Sequence, residues 1–149
     1  MSDFSAVDPD YIARVHAMFA QQAFMATIGA RIARLEPGLA EIELPYRHDL
    51  TQQHDYFHGG VTSAIADNAG GAAAYTLFPA GSAILTVEFK INLLAPAEGE
   101  KLIAIGTVLK PGRTLTITDL KVYAVIGDRR TLCAAGQQTL MRLDGATSA

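Results

Sequence analysis

Between Asp67 and Glu88 the chain runs for 20 residues without a formal charge. That is long enough to cross a bilayer, so the run must be either a membrane span or a buried part of a globular core. Gly70, Gly71, Pro79 and Gly81 interrupt it, and neither flank carries a Lys/Arg cluster or an aromatic belt. It therefore reads as a helix, a turn and a strand inside a water-soluble core, with no membrane partner. The composition agrees: 50% of the 149 residues are hydrophobic and 18% charged, which suits one domain over residues 1–149 and is too apolar for a disordered chain. Twelve Lys and Arg against 15 Asp and Glu leave a net charge of −3 and no basic stripe, so nucleic acid is not an expected partner. The single cysteine, Cys133, excludes a disulfide framework and any Cys-rich metal cluster, and its apolar strand context makes it core. The opening Met1-Ser2-Asp3-Phe4-Ser5 lacks the basic-then-apolar layout of a secretory signal, which points to the cytoplasm.

Asp8-Pro9 has the look of an N-cap followed by Pro at the first helical position. Ile12, Val15, Phe19 and Ala23 then recur at helical spacing, predicting one amphipathic helix from about Pro9 to Met25, ended by Gly29. Residues 1–28 form an N-terminal helical extension and 29–143 the core of the fold. Arg31–Glu36 and Leu39–Tyr46 flank the turn residues Pro37-Gly38 and predict a hairpin, with Ala40, Ile42 and Leu44 on one face and Glu41 and Glu43 on the other. His48–Phe57 is polar and irregular and reads as a loop. From Gly59 to about Leu77 the chain is rich in Ala and Gly and predicts a helix too weak to stand alone. Four strands follow, over Ile84–Leu94, Lys101–Lys110, Thr114–Ile126 and Thr131–Leu143. Consecutive strands joined by short turns pair antiparallel, so the class is α+β. The second helix has almost no charged face and must be covered nearly all round, while its small residues let a sheet approach closely. A long antiparallel sheet wrapped around one central helix meets both demands.

Asp67 is the only formally charged residue between His58 and Glu88. A carboxylate in a buried helix must be hydrogen-bonded, paired or functional, and such groups gather at sites of chemistry. His58-Gly59-Gly60 stands where the loop meets the helix. Glycines there admit a ligand to the backbone, and the first-turn N–H groups at the positive end of the helix dipole suit a phosphate or a developing oxyanion. The same two glycines also suit a simple tight turn. Asp67 lies nine residues beyond His58, which on an ideal helix separates them by about 13.5 Å along the axis and roughly half a turn around it. If both groups act, each finds its counterpart on a second copy in a symmetric dimer.

The His-Gly-Gly opening, the acidic residue nine positions later, and the strands "LTVEFKINLLAPA" and "GRTLTITDLKVYA" resemble the hotdog-fold acyl-CoA thioesterases of the phenylacetate-degradation (PaaI) type, over about Gly29 to Leu143. The resemblance implies a hotdog fold with an extra N-terminal helix. It also implies hydrolysis of an acyl- or aryl-acyl-CoA to free acid and CoA, with no cofactor beyond the CoA of the substrate. By position, it makes Asp67 the catalytic general base or nucleophile, and gives the Gly59 N–H the polarising of the thioester carbonyl. Gln52 stands where the family usually has an Asn that assists at the carbonyl, with Gln53 and His54 beside it. Thr86 matches a Ser/Thr that orients the water, and His58 supports the loop. Gly60 and Asn68 are placed at the substrate. A homodimer with shared sites is implied, with a dimer of dimers common in the family.

Lys110 and Arg113 flank Pro111-Gly112, and both are candidates for the CoA phosphates as well as for ordinary solvated hairpin charges. Tyr56, Phe57, Tyr75 and Phe78 are candidates for an acyl pocket or for core. His54 and His58 have a spacing that would place two metal ligands together only on a helix, and this stretch reads as loop, so no metal site is expected. The competing readings are a hotdog dehydratase or hydratase working with a His and an acid, and a non-catalytic acyl-CoA binding protein on the same fold.

Overall fold

The computed structural model describes residues 4–145. The opening Met1-Ser2-Asp3 and residues 146–149, included in the segment boundaries above, lie outside the described residues. The elements in chain order are helices α1 (Tyr11–Ala20) and α2 (Ala23–Ile28), strands β1 (Arg31–Glu36) and β2 (Leu39–Pro45), helix α3 (Gly59–Tyr75), and strands β3 (Ser82–Leu93), β4 (Lys101–Lys110), β5 (Leu115–Ile126) and β6 (Arg129–Asp144). The strands form one antiparallel sheet in the order β1-β2-β4-β5-β6-β3, which wraps around α3.

The N-terminal helix differs from expectation. One helix over Pro9–Met25 is predicted, and two are found, because Gln22 leaves helical geometry at φ −84°, ψ 95°. The N–H groups of Gln21 and Gln22 turn back to the carbonyls of Met18 and Phe19, three residues earlier, which closes α1. The break lets the Gln22 amide oxygen accept from Asn68 Nδ2, and α2 sends Met25 and Ile28 into the core. The start also moves. Asp8 is not the cap: its carboxylate accepts from the Asp10 N–H at 2.9 Å and from Arg14 at 2.7 Å, bending the chain ahead of a helix that begins at Tyr11. Gly29 ends α2 as expected, at φ 79°.

The β1–β2 hairpin turns at Pro37-Gly38, and Ala40, Ile42 and Leu44 are fully buried. Glu43, on the other face, is held by Arg31 and Lys101. Strand boundaries fall within two residues of expectation, and Lys101–Lys110 coincides with it. The segment His48–Phe57 is a loop that includes a short 3-10 turn at His48–Leu50.

What seats α3 is the small size of the residues facing it. An added Cβ at Gly106 of β4 would stand 2.3 Å from the Ala69 carbonyl oxygen and 2.5 Å from the Gly70 nitrogen, so strand and helix touch backbone to backbone. Along α3, Ile65, Ala69, Ala72, Ala73 and Ala74 are fully buried. A wider stripe stays open: Ala64, Asp67, Asn68 and Gly71 are only half-buried. The edge strand β3 is likewise uncovered, with Leu85, Val87, Phe89 and Leu93 between 44% and 59% exposed.

Because neither backbone at this contact can yield, Gly106→Ala is expected to cost about 1–3 kcal/mol of stability, the usual range for overpacking, read as a shifted urea midpoint at unchanged m-value.

Candidate active site

Asp67 sits midway along α3, on the stripe the sheet leaves open. Its Oδ1 accepts from the Thr86 hydroxyl at 2.8 Å and from the Gln138 amide nitrogen. Its Oδ2 has no hydrogen-bond partner among the described residues. Burial pushes the Asp67 carboxyl above the ordinary carboxylate value, and the Thr86 bond works against that rise. The carboxylate opens on a cavity of about 740 Å³ between α1, α3 and the start of β3, whose lining includes Arg14, Gln22, Asn68, Tyr75 and Thr86.

Thr86 reaches Asp67 because β3 bulges. Thr86 stands opposite Leu140 and Phe89 opposite Gln138, so Val87 is an extra residue that swings Thr86 onto the helix-facing side beside Asp67. Asn68 donates to Gln22, while its Oδ1 is buried without a partner among the described residues. The same holds for Arg14 Nη1, elsewhere on the cavity wall.

The start of α3 forms a second centre. His58 is the N-cap: its Nδ1 accepts the Gly60 N–H at 2.8 Å, which fixes Nδ1 as the unprotonated ring nitrogen. The N–H groups of Val61 and Thr62 bond the His58 carbonyl at 3.0 and 3.1 Å. An isolated helix start leaves its first-turn N–H groups unpaired. The fold instead satisfies three of these donors and leaves the Gly59 N–H as the one without an acceptor among the described residues. Gln52 is close in sequence, but its amide oxygen is taken by the backbone N–H of His54. Gln53 and His54 are exposed.

Asp67, Asn68 and Thr86 are thus brought together, and Gln52, His58, Gly59 and Gly60 are gathered apart from them, none of these four lining the Asp67 cavity. Lys110 and Arg113 lie exposed at the β4–β5 turn, at the opposite end of the sheet from Lys101 and the His58 loop. Phe57 and Phe78 are core, whereas Tyr75 reaches the cavity and donates its hydroxyl to the Ser82 carbonyl. No group of three or more potential metal ligands occurs among the described residues.

Sequence reasoning missed Gln138. The amide is 1% exposed, and it donates to the Asp67 carbonyl at 3.2 Å and to Thr86 Oγ1 at 3.1 Å besides the carboxylate. The signal was there: along β6 it alternates in phase with Ala134, Gly136 and Leu140, and so is a polar residue on the helix-facing side.

An antiparallel sheet wrapped on one helix, with a carboxylate on the helix and a free N–H at its start, is the hotdog architecture of a thioester hydrolase. The chain belongs to the thioesterase superfamily, which matches residues 54–130. A thioesterase family protein from Silicibacter pomeroyi is 46% identical in its crystal structure, with a TM-score of 0.89 over 91% of this chain and 99% of that one. The proofreading thioesterase EntH of Klebsiella pneumoniae is 27% identical over 120 residues, 80% of this chain and 88% of its own. The E. coli PaaI protein from the phenylacetic acid degradation operon shares the fold, with a TM-score of 0.82 at 21% identity over 92% of this chain and 96% of that one.

As an N-cap, His58 has a measurable effect on stability. His58→Ala is expected to lose about 1 kcal/mol, and His58→Asn, which keeps a capping side chain, to recover most of it in equilibrium unfolding.

Proposed function

We propose that this thioester hydrolase acts on acyl- or aryl-acyl-CoA, releasing the free acid and coenzyme A. The observation that carries the reading is Asp67: one carboxylate oxygen is clamped by Thr86 and Gln138, and the other has no partner among the described residues and stands beside a cavity of about 740 Å³. Asp67 Oδ2 takes a proton from a water that Thr86 helps to orient, and the water oxygen attacks the thioester carbonyl carbon. The Gly59 N–H receives the developing oxyanion at the positive end of α3. The C–S bond then breaks, and the proton held by Asp67 goes to the departing thiolate. Direct attack by Asp67, through an anhydride that water later opens, uses the same groups. Neither route calls for a metal or a further cofactor.

Gln52 keeps its amide nitrogen available to assist at the carbonyl, since only its oxygen is engaged by His54. His58 and Gly60 hold the helix start in shape. Asn68, beside Asp67 on the cavity wall, is assigned to the substrate pocket. Arg113 and Lys110, which make no ion pair among the described residues, are assigned to the CoA phosphates. Residues 1–149 are read as one domain, working in the cytoplasm. No helix among the described residues is long and apolar enough to cross a membrane.

The complete site is assigned to a dimer. Gly59 does not line the Asp67 cavity of its own chain, and the edge strand β3 carries Leu85, Val87, Phe89 and Leu93 uncovered. A second copy paired along β3 covers those side chains and sets each Gly59 against the other chain's Asp67. A dimer of dimers is the expected larger assembly.

Asp67→Asn is expected to lower kcat about 10²–10⁴-fold in a thiol-release assay over an acyl-CoA panel; a folded variant with normal turnover on every substrate would remove Asp67 from the mechanism. The raised carboxyl also fixes a sign. The native state holds a proton that the unfolded chain has already released, so stability falls as pH rises through that window. Asp67→Asn is therefore expected to raise Tm near neutral pH while it removes activity, and the acid limb of wild-type kcat/KM should lie above the ordinary carboxylate value.

Gly59→Pro tests the donor. His58 already has φ −62° and ψ 139°, the extended geometry a following proline prefers, and proline is at ease at the first helical position. An added Cβ stands 2.8 Å from Leu93 Cδ1, the far end of an exposed side chain that can turn aside, so the variant should fold and lose about 10²–10³-fold in kcat. Co-expressed with Asp67→Asn, it should regain up to about a quarter of wild-type activity, because half of the randomly paired dimers hold one intact site of two.

A further inference from the structure

Gln138 has no role in the chemistry above, yet the fold is shaped around it. A glutamine 1% exposed beneath a helix is costly unless its polar atoms are paired, and here each one is. Oε1 accepts from the Thr118 hydroxyl at 3.2 Å, and Nε2 donates to Asp67 and to Thr86. The amide can face only one way, because the Asp67 carbonyl and carboxylate both accept and neither donates. Space for it comes from Gly70, one helical turn beyond Asp67. An added Cβ there would stand 2.0 Å from Gln138 Oε1 and 2.7 Å from Thr118 Oγ1. The bulge in β3 brings Thr86 to the same point, with Phe89 opposite Gln138. A glycine on α3, a hydroxyl on β5 and an extra residue in β3 thus converge on one amide and one carboxylate.

From this geometry we infer that Gln138 is the positioning residue of the site: its amide clamps Asp67 Oδ1 and the Thr86 hydroxyl, so that Oδ2 alone is presented to the cavity. The inference rests on the reading of Asp67 as the catalytic carboxylate. Two donors on one oxygen stop the carboxylate from rotating, and a chain of hydrogen bonds runs Thr118–Gln138–Thr86–Asp67, each member polarising the next. Donors favour the anion, so the Gln138 amide, like the Thr86 hydroxyl, works against the burial that pushes the Asp67 carboxyl up. Among the described residues no nearby charge supplies that help. Arg14, on the cavity wall, turns Nε and Nη2 to Asp8 and to the Tyr75 and Phe78 carbonyls and makes no bond to Asp67, and Glu88 bonds Thr139, whose side of the sheet faces away from α3. Asp67 is the only charged residue on α3.

The test uses Gln138→Met, which keeps the length of the side chain without its donors, combined with Thr118→Val so that no hydroxyl is left unpaired. In the folded double variant, kcat should fall about tenfold or more with KM within about threefold, and the acid limb of kcat/KM should move up by about one pH unit. Gln138→Glu sets a second carboxylate against the first, and the limb should move further in the same direction. Thr118→Val alone, which only loosens the amide, should shift it less and in the same sense, and it decides the matter if the double variant does not fold. An unmoved acid limb and wild-type kcat in the folded variants, beside an inactive Asp67→Asn, would make Gln138 a filler of the core and overturn the inference while leaving the proposed function intact. Full activity of Asp67→Asn would overturn both.

Discussion

The contact on which the structure depends is the backbone-to-backbone approach of α3 to the sheet. Gly106 of β4 lies against the Ala69 carbonyl, and one residue further along, Gly70 leaves room for the Gln138 amide. Four glycines make α3 a poor helix in isolation, each costing up to about 1 kcal/mol relative to alanine. The sheet repays that deficit by enclosing most of the helix, and a side chain at either close contact would hold it off. Closeness also sets the chemistry, because a carboxylate on a helix packed this tightly is partly desolvated.

From that constraint follows a division of labour along one helix. Among the described residues the start of α3 is satisfied by its own cap and carbonyls except at Gly59, which leaves a single backbone donor at the positive end. The middle of the helix carries the carboxylate, fastened through one oxygen. Nine residues separate His58 from Asp67, so the helix start and the carboxylate point in different directions within one chain. The edge strand β3 beside them stays uncovered, and the proposed dimer rests on that exposed face together with the separation of the two centres.

How much of this was legible in the sequence varies by element. The hairpin at Pro37-Gly38 and strand β4 could be read from turn residues and alternation, because those signals are local. Asp67 stood out as the only charge between His58 and Glu88, whereas its bond from the Thr86 hydroxyl is a finding of the fold. The break at Gln22 was not legible. No Gly or Pro marks it, and it exists because Gln22 meets Asn68 on an element 46 residues away. Gln138 was hidden for the same reason: an inward polar residue signals a partner without saying which one, and its partners lie on α3, β3 and β5.

The sequence by itself determined that an uncharged, glycine-rich helix had to be buried in an antiparallel sheet, and that the one carboxylate in it would be exceptional. Hydrophobic patterning and the cost of burying charge are enough for that, since both can be read from neighbours along the chain. The tertiary structure alone decided which oxygen of Asp67 is held, which N–H of the helix start is left over, and that α1 walls the cavity. Those outcomes depend on distances between residues far apart in sequence, where a shift of one ångström makes or breaks a hydrogen bond, and no local pattern encodes a distance of that kind.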